Sequence, residues 1–410
     1  MQLLYHIHSV SAFAIANFSQ RTFRNRSASH EYRPIVKYYD RIYTLLVMHI
    51  LFVDIDFHLT TKSADFFLKI LRSFFEVETH YYHAAYDANI PQEKIDRADI
   101  IIVWQTMLER KDFVVNGKPC IFIPMYDDDW GSRFQWKRIG LSGAHIISFC
   151  NAISKRAIRG GVPSNRLLDL RFAYNPDDFN GFEGDPDVAA IWDRGFFGMH
   201  EFKQMFPPRF FKKILLIRRP QPDLRFQPIS QNDKLAYNIV IIESEFIPKQ
   251  DYLQLIKEPG VFLAPRPKEG IGMSFLEALA MGKCVIAHDD ASMNEYIIDG
   301  KNGLIRNFYG NIFPISKADI LSVRNYTKTY SKAQYNRWIA DKEKIVSFIN
   351  ETALNPPVKI GGWRDVYHRA LYAFEALYCR AHSALGACVG QIMLACHCRF
   401  SGGGKVRQSP

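Results

Sequence analysis

A chain of 410 residues that is 48% hydrophobic and 23% charged is too apolar for disorder and long enough for two or three cores. Its formal net charge of +10 points to an anionic partner or to a merely basic surface, and composition alone leaves both readings open. No segment makes a convincing membrane span, because residues 43–57 are interrupted by His49, Asp54 and Asp56 and residues 381–396 are too few.

Residues 1–47 differ from the rest of the chain. Acidic residues are absent until Glu31, while Arg21, Arg24 and Arg26 sit among serines. That composition resembles a transit peptide, yet the apolar opening lacks the basic start of a secretory signal. At Met48 the sequence runs straight into Ile50–Ile55, an apolar strand, so Met48 is the expected natural start and residues 1–47 an extension.

From Met48 the rhythm is strand, helix, strand. A helix is expected over Lys62–Phe75, with Phe67, Ile70, Leu71 and Phe74 on its buried face. Strands are expected at Val77–Tyr82, Ile100–Trp104, Cys120–Pro124 and His145–Phe149, three of them continuous apolar runs of the kind covered on both faces. A helix over Ala152–Arg159 stops at Gly160-Gly161. This alternation predicts a Rossmann-like domain over residues 48–180. Its first βα loop, Asp56–Lys62, holds no glycine.

Asp127, Asp128 and Asp129 follow the strand Cys120–Pro124, at the carboxyl end where open α/β sheets bind ligands. They read as a solvated loop, as acceptor-side residues (Asp127 and Asp129), or as a metal-binding Asp-x-Asp, in that order. Arg133, Lys137 and Arg138 interleave with Phe134 and Trp136; an ordinary surface loop is the default, with a bilayer-facing patch as the alternative.

A Gly/Asp/Pro-rich run to Asp187 reads as a linker. A second α/β domain is expected over residues 188–355, opening with the strand Val188–Trp192 and Arg194 at its end. Ile214–Ile217 and Ile239–Glu243 continue the sheet, and Asp251–Ile256 is a helix. Then comes the most informative stretch: a strand at Val261–Ala264, a turn with Glu269, Gly270 and Gly272, a helix from Ser274 to Gly282 that carries Glu277, and a strand at Cys284–Ala287. A glycine turn feeding a helix N-terminus suits phosphate, since unpaired N–H groups and the helix dipole converge there. Ser274-x-x-Glu277 and Ser292-x-x-Glu295 also read as capping boxes. Residues 318–354 are largely helical and polar. Trp363, Tyr367, Ala370, Leu371, Phe374 and Tyr378 mark an amphipathic helix within residues 356–396, and residues 397–410 read as a disordered tail.

Cys120, Cys150 and Cys284 fall in apolar runs and read as buried thiols. Cys379, Cys388, Cys396 and Cys398 cluster with His382 and His397, but without C-x2-C spacing they argue weakly for zinc. Reduced thiols in a cytosolic protein fit better than a disulfide framework.

Glu269, Gly270-Ile271-Gly272, Glu277, Ala280-Met281-Gly282, Val285-Ile286-Ala287, Asn294-Glu295 and Asp299-Gly300-Lys301-Asn302-Gly303 together resemble the nucleotide-sugar site of the group 1 (family 4) glycosyltransferases. The resemblance covers most of residues 48–376 and is specific only over Val261–Gly303. It implies a GT-B fold: α/β, with two Rossmann-like domains facing a central cleft and a C-terminal crossover helix returning to the first. It implies a retaining, metal-independent transfer of a sugar from a UDP- or GDP-sugar, in surface polysaccharide or glycoconjugate synthesis, to a saccharide or lipid-linked acceptor. No cofactor is expected beyond that donor.

By the same resemblance Arg194 and Glu269 serve catalysis: Arg194 meets the donor diphosphate and Glu269 holds sugar hydroxyls. Gly270, Gly272, Met273 and Ser274 supply backbone around the phosphates, and Glu277, expected in the first helical turn, accepts from the ribose hydroxyls. Lys203 and His288 complete the expected donor site. The expected location is cytoplasmic, with peripheral contact at the inner membrane face, and nucleic acid is not an expected partner. The alternatives are another GT-B enzyme, such as a sugar-nucleotide epimerase or a phosphorylase, and a non-catalytic nucleotide-sugar-binding protein. A chain begun at Met48 is expected to remain soluble and active; insolubility or lost activity would overturn that start.

Overall fold

The computed structural model describes residues 48–83, 90–105, 118–128, 133–220, 224–310, 312–356 and 370. Residues 1–47, Asp129, most of the expected helix within residues 356–396, the C-terminal cysteines and histidines, and the tail 397–410 lie outside the described residues. The described residues from His49 onward belong to one unit.

The first six strands are β1 (His49–Ile55), β2 (Glu76–Tyr82), β3 (Ile100–Gln105), β4 (Cys120–Pro124), β5 (His145–Ser148) and β6 (Leu167–Asp169). They form a parallel sheet in the order β2-β1-β3-β4-β5-β6. The helices between them are α1 (Phe57–Thr61), α2 (Asp65–Phe74), α3 (Gln92–Arg97), α4 (Arg133–Ser142) and α5 (Asn151–Arg159). The unbroken apolar runs are buried along their length, as parallel strands sandwiched by helices must be.

The helix expected over Lys62–Phe75 is α2, and the Asp56–Lys62 stretch expected as a loop holds the short α1. Lys62 turns left-handed at φ 57° and closes α1, so α2 starts afresh at Asp65. Phe67, Ile70 and Leu71 are buried as expected, joined by Leu68, whereas Phe74, the last residue of α2, is 53% exposed. In α4, Trp136, Arg138 and Ile139 are buried, so the basic-aromatic stretch does not present Trp136 or Arg138 to a bilayer.

The second sheet holds β7 (Asp185–Asp193), β8 (Lys213–Arg218), β9 (Ile239–Glu243), β10 (Pro259–Ala264), β11 (Cys284–His288) and β12 (Leu304–Arg306). Its order, β12-β11-β10-β7-β8-β9, is again wholly parallel and reverses direction between β7 and β10. Its helices are α6 (Met199–Met205), α7 (Gln231–Tyr237), α8 (Lys249–Lys257), α9 (Met273–Ala280), α10 (Met293–Tyr296) and the long α11 (Lys317–Leu354). Two six-stranded parallel sheets with their helices make the GT-B arrangement that the resemblance implies.

Among the described residues the return crossing is made by α11, earlier than expected. Its first part lies on the second sheet, where Ser331 Oγ donates to Leu279 O at 2.9 Å. Further on, Trp338 enters the first domain's aromatic core beside Phe66 (5.7 Å between centroids) and Phe172 (5.3 Å). The linker is tied to the same helix, since Arg324 donates to Glu183 O and Gly184 O at 2.9 and 2.7 Å.

Cys120, Cys150 and Cys284 are free and buried, and burial pushes the thiols of Cys150 and Cys284 up to about 12. Lys283 is fully buried, its ammonium donating to Phe182 O and Pro259 O, each at 2.5 Å. Burial, with Arg324 adding repulsion, lowers its pKa to about 7 from the ordinary 10.5. The unfolded chain therefore holds this proton more tightly, and stability rises with pH between about 7 and 10.5, with the full penalty present below that window. The difference in unfolding free energy between the wild type and Lys283→Met is expected to move in the wild type's favour from pH 7 to pH 10; a flat difference in denaturant titrations would refute it.

Candidate functional site

The reversal of strand order between β7 and β10 opens a crevice at their carboxyl ends, the usual ligand position in such sheets. Arg194 follows β7 directly, and Arg266 and Glu269 follow β10. Asp193, fully buried, shapes the first of these turns. Its Oδ1 accepts from Gly195 N (2.8 Å) and Phe197 N (3.2 Å), and its Oδ2 from Arg218 Nε (3.0 Å).

The second turn is set by two glycines. Gly272 has φ +80°, and a Cβ there would fall 1.8 Å from the Phe275 ring. Gly270 lies against the first domain, where a Cβ would come within 2.7 Å of Asp127 Oδ1 and 3.0 Å of Met125 Cβ. Gly272 caps α9, so by position the N–H groups of Met273, Ser274 and Phe275 have no intrahelical acceptor; the first such bond is Leu276 N to Gly272 O at 3.1 Å. The expected capping box is absent, since no side chain caps α9 and Ser274 is its second residue. Glu277 therefore sits in the second turn, not the first, beyond the strongest field of the helix dipole.

Charge converges at this crevice. Arg266 Nη1 reaches Asp127 Oδ2 at 2.9 Å and Glu269 Oε2 at 3.2 Å. Arg194 feels Arg266, Glu269, Arg219 and Asp127 electrostatically. Burial raises the Glu269 pKa, Arg266 and Arg194 oppose that, and Asp127 adds to it. For Arg266, burial disfavours the charge but Glu269 and Asp127 outweigh it, so its pKa rises. Burial lowers the Arg194 pKa, and the neighbouring Arg266 and Arg219 push the same way. Arg219 also stacks on Phe57 of the first domain, 5.4 Å from the ring centroid.

Thus Asp127, expected on the acceptor side, joins Arg194 and Glu269. Glu277 lies one turn along α9, 2% exposed, with its Oε1 paired to Lys249, which is itself mostly exposed. Burial raises the Glu277 pKa against the pull of Lys249. Tyr174 and Tyr252 sense its charge and are themselves shifted upward by burial.

Two expected donor residues are placed elsewhere. Lys203 lies on α6 and pairs with Asp233 at 2.7 Å. His288 is buried at the end of β11, its Nδ1 accepting from Phe308 N at 3.2 Å and its ring stacked on Phe308. Burial lowers its pKa from the ordinary imidazole value. Close by, a cavity of 60 Å³ is lined by Phe196, Phe202, Phe308 and Tyr309 among others.

The downstream motifs hold the architecture. Ser292-x-x-Glu295 does not cap α10. Glu295 Oε2 instead crosses to the first domain, accepting from Asn151 N at the head of α5 (2.7 Å) and Arg171 Nη2 (2.5 Å). Asp299 and Asn302 turn back onto their own loop, to Ile305 N (2.9 Å) and Ile298 N (2.7 Å).

Arg266, Arg219 and Lys249 were not singled out in the sequence. The signal available was position, for each follows a strand of the second sheet by a few residues. The Asp54–His58 pair at the end of β1 also escaped notice, with His58 Nδ1 2.6 Å from Asp54 Oδ1 and both residues buried. Its i, i+4 spacing was visible. Among the described residues no group of three or more His, Cys, Asp or Glu side chains could hold a metal ion.

Residues 225–320, which span the crevice turn, match the family model of the glycosyl transferases group 1. The match is confined to that segment, under a quarter of the chain. No curated protein matches it by sequence. Among solved structures, this chain is similar to Anabaena HepE in complex with UDP and glucose, at 12% identity and TM-score 0.48, over 74% of this chain and 100% of that one. It is also similar to a glycosyltransferase from Rickettsia africae, at 13% identity and TM-score 0.47, over 75% and 99%. A third is UDP-GlcNAc 2-epimerase from Neisseria meningitidis, at 11% identity and TM-score 0.47, over 74% and 100%.

Gly272→Ala forces a strained φ and a ring clash, and is expected to cost roughly 1–3 kcal/mol of stability, read as a lower denaturant midpoint. An unchanged midpoint would mean that the turn relaxes freely.

Proposed function

We propose that the protein transfers a sugar, with retention and without a metal ion, from a nucleotide-sugar donor to a saccharide or lipid-linked acceptor. The observation that carries this reading is the meeting of Arg194 and Glu269 with the glycine-headed α9 at the β7–β10 crevice. A diphosphate placed there meets the N–H groups of Met273 and Ser274 and the Arg194 guanidinium. Arg194 stabilises the charge that builds on the leaving nucleoside diphosphate, the part a metal ion plays in other transferases. Glu269 offers an acceptor-only carboxylate to sugar hydroxyls, and Glu277 offers one to the ribose diol once Lys249 moves aside.

The proton given up by the attacking hydroxyl can pass to the leaving diphosphate oxygen, so the leaving group needs no acid from either glutamate. Both belong to donor binding, so their spacing does not imply glycosidase geometry. UDP- and GDP-sugars are the first candidates for the donor. The positive balance of the chain suits an acceptor on an anionic lipid carrier at the inner membrane face, in surface-polysaccharide or glycoconjugate synthesis. No helix among the described residues is long and apolar enough to cross a membrane, which fits peripheral contact.

A thermal-shift panel of UDP-, GDP-, ADP- and CMP-sugars is expected to raise Tm for one nucleotide, because binding the native state adds stability by mass action. Glu277→Ala and Arg194→Ala are each expected to cut turnover about 100-fold or more. Wild-type rates in either variant would remove that residue from the site, and donor isomerisation without any acceptor would replace transferase by epimerase.

A further inference from the structure

We propose that Arg266 forms an anion subsite for the donor diphosphate and that the Asp127 carboxylate fills it as an internal stand-in. The proposal rests on the nucleotide-sugar reading above, but concerns a residue that neither the motif nor the resemblance marks.

Arg266 lies two residues beyond β10, across the crevice from Arg194, and one of its nitrogens is shared by Asp127 and Glu269 at 2.9 and 3.2 Å. A carboxylate oxygen is anionic and accepts only, which is what a phosphate oxygen offers to the same guanidinium. Asp127 is held in place by packing, since only a glycine at position 270 allows the loop to come so close to it.

Two carboxylates sharing one guanidinium repel each other, and Asp127 raises the pKa of Glu269. Exchanging Asp127 for a diphosphate leaves Arg266 paired and brings Arg194 and Arg219 within the same field. The exchange need not release the domains, because Tyr126 Oη donates to Asp290 Oδ1 at 3.2 Å and the Glu295 contacts with Asn151 and Arg171 persist. Asp127 thus competes with the ligand, and a purely structural ion pair would not.

The test is calorimetric titration of the full-length protein with UDP, GDP and inorganic pyrophosphate. Asp127→Asn, nearly isosteric, is expected to tighten nucleoside diphosphate binding about 3- to 10-fold, and Arg266→Gln to weaken it about 10-fold or more. Arg266→Lys is expected to fall between the wild type and Arg266→Gln, and the double variant to match Arg266→Gln alone. Unchanged or weaker binding by Asp127→Asn overturns the stand-in role, and unchanged binding by Arg266→Gln overturns the subsite. Nucleotide binding that ignores both substitutions overturns only this proposal, whereas a wild type that binds none of the three probes overturns the donor reading with it.

Discussion

The site depends on one seam. Two parallel sheets have no reason to present their carboxyl ends to each other unless something fixes their relation, and here α10 and α11 do so. Glu295 places a carboxylate at the head of α5, where the first N–H groups of a helix favour an anion, and Arg171 closes on the same oxygen. Tyr296 is almost wholly buried and its hydroxyl accepts from Phe172 N at 3.1 Å. Trp338 then fills the aromatic pocket of the first domain. With the seam held, the loops after β4 and β10 meet, and their charges must be reconciled.

That reconciliation explains the mixture of signs in the crevice. A cluster of arginines alone would repel itself in a partly buried space, so the protein supplies carboxylates from both sides, Glu269 locally and Asp127 from across the gap. The arginines remain cationic and the glutamate remains positioned. The same economy holds at Glu277, whose buried carboxylate is matched by Lys249 from α8. Each of these acids has a basic partner with at least part of its side chain in reach of solvent.

Much of the scaffold was legible in the sequence because its signals are local. Continuous apolar runs such as Ile100–Trp104 can only be strands buried on both faces, and the glycines at 270 and 272 marked the turn that heads α9. Arg194 and Glu269 were marked by the family resemblance, and the structure brings them close at the crevice. What escaped depends on contacts distant in the chain. Asp127 and Arg266 are far apart in sequence, and nothing in either neighbourhood names the other. The S-x-x-E patterns misled because capping geometry and cross-domain reach use the same residues. Glu295 met the backbone of Asn151 in place of its own helix. Lys203, which the resemblance places among the donor residues, pairs with Asp233, a contact that its own neighbourhood in the sequence does not announce.

The position of Trp338 bears on the order in which the chain can assemble. The first domain's aromatic cluster, Phe66, Phe149 and Phe172, gains Trp338 only from a helix that follows the entire second domain. During synthesis from the N-terminus the first sheet therefore emerges with part of its core uncovered and must wait for the rest of the chain. The two domains are separate in architecture but not in folding history. The Phe66–Trp338 contact joins positions near opposite ends of the described chain, so it cannot form until the second domain has been synthesised.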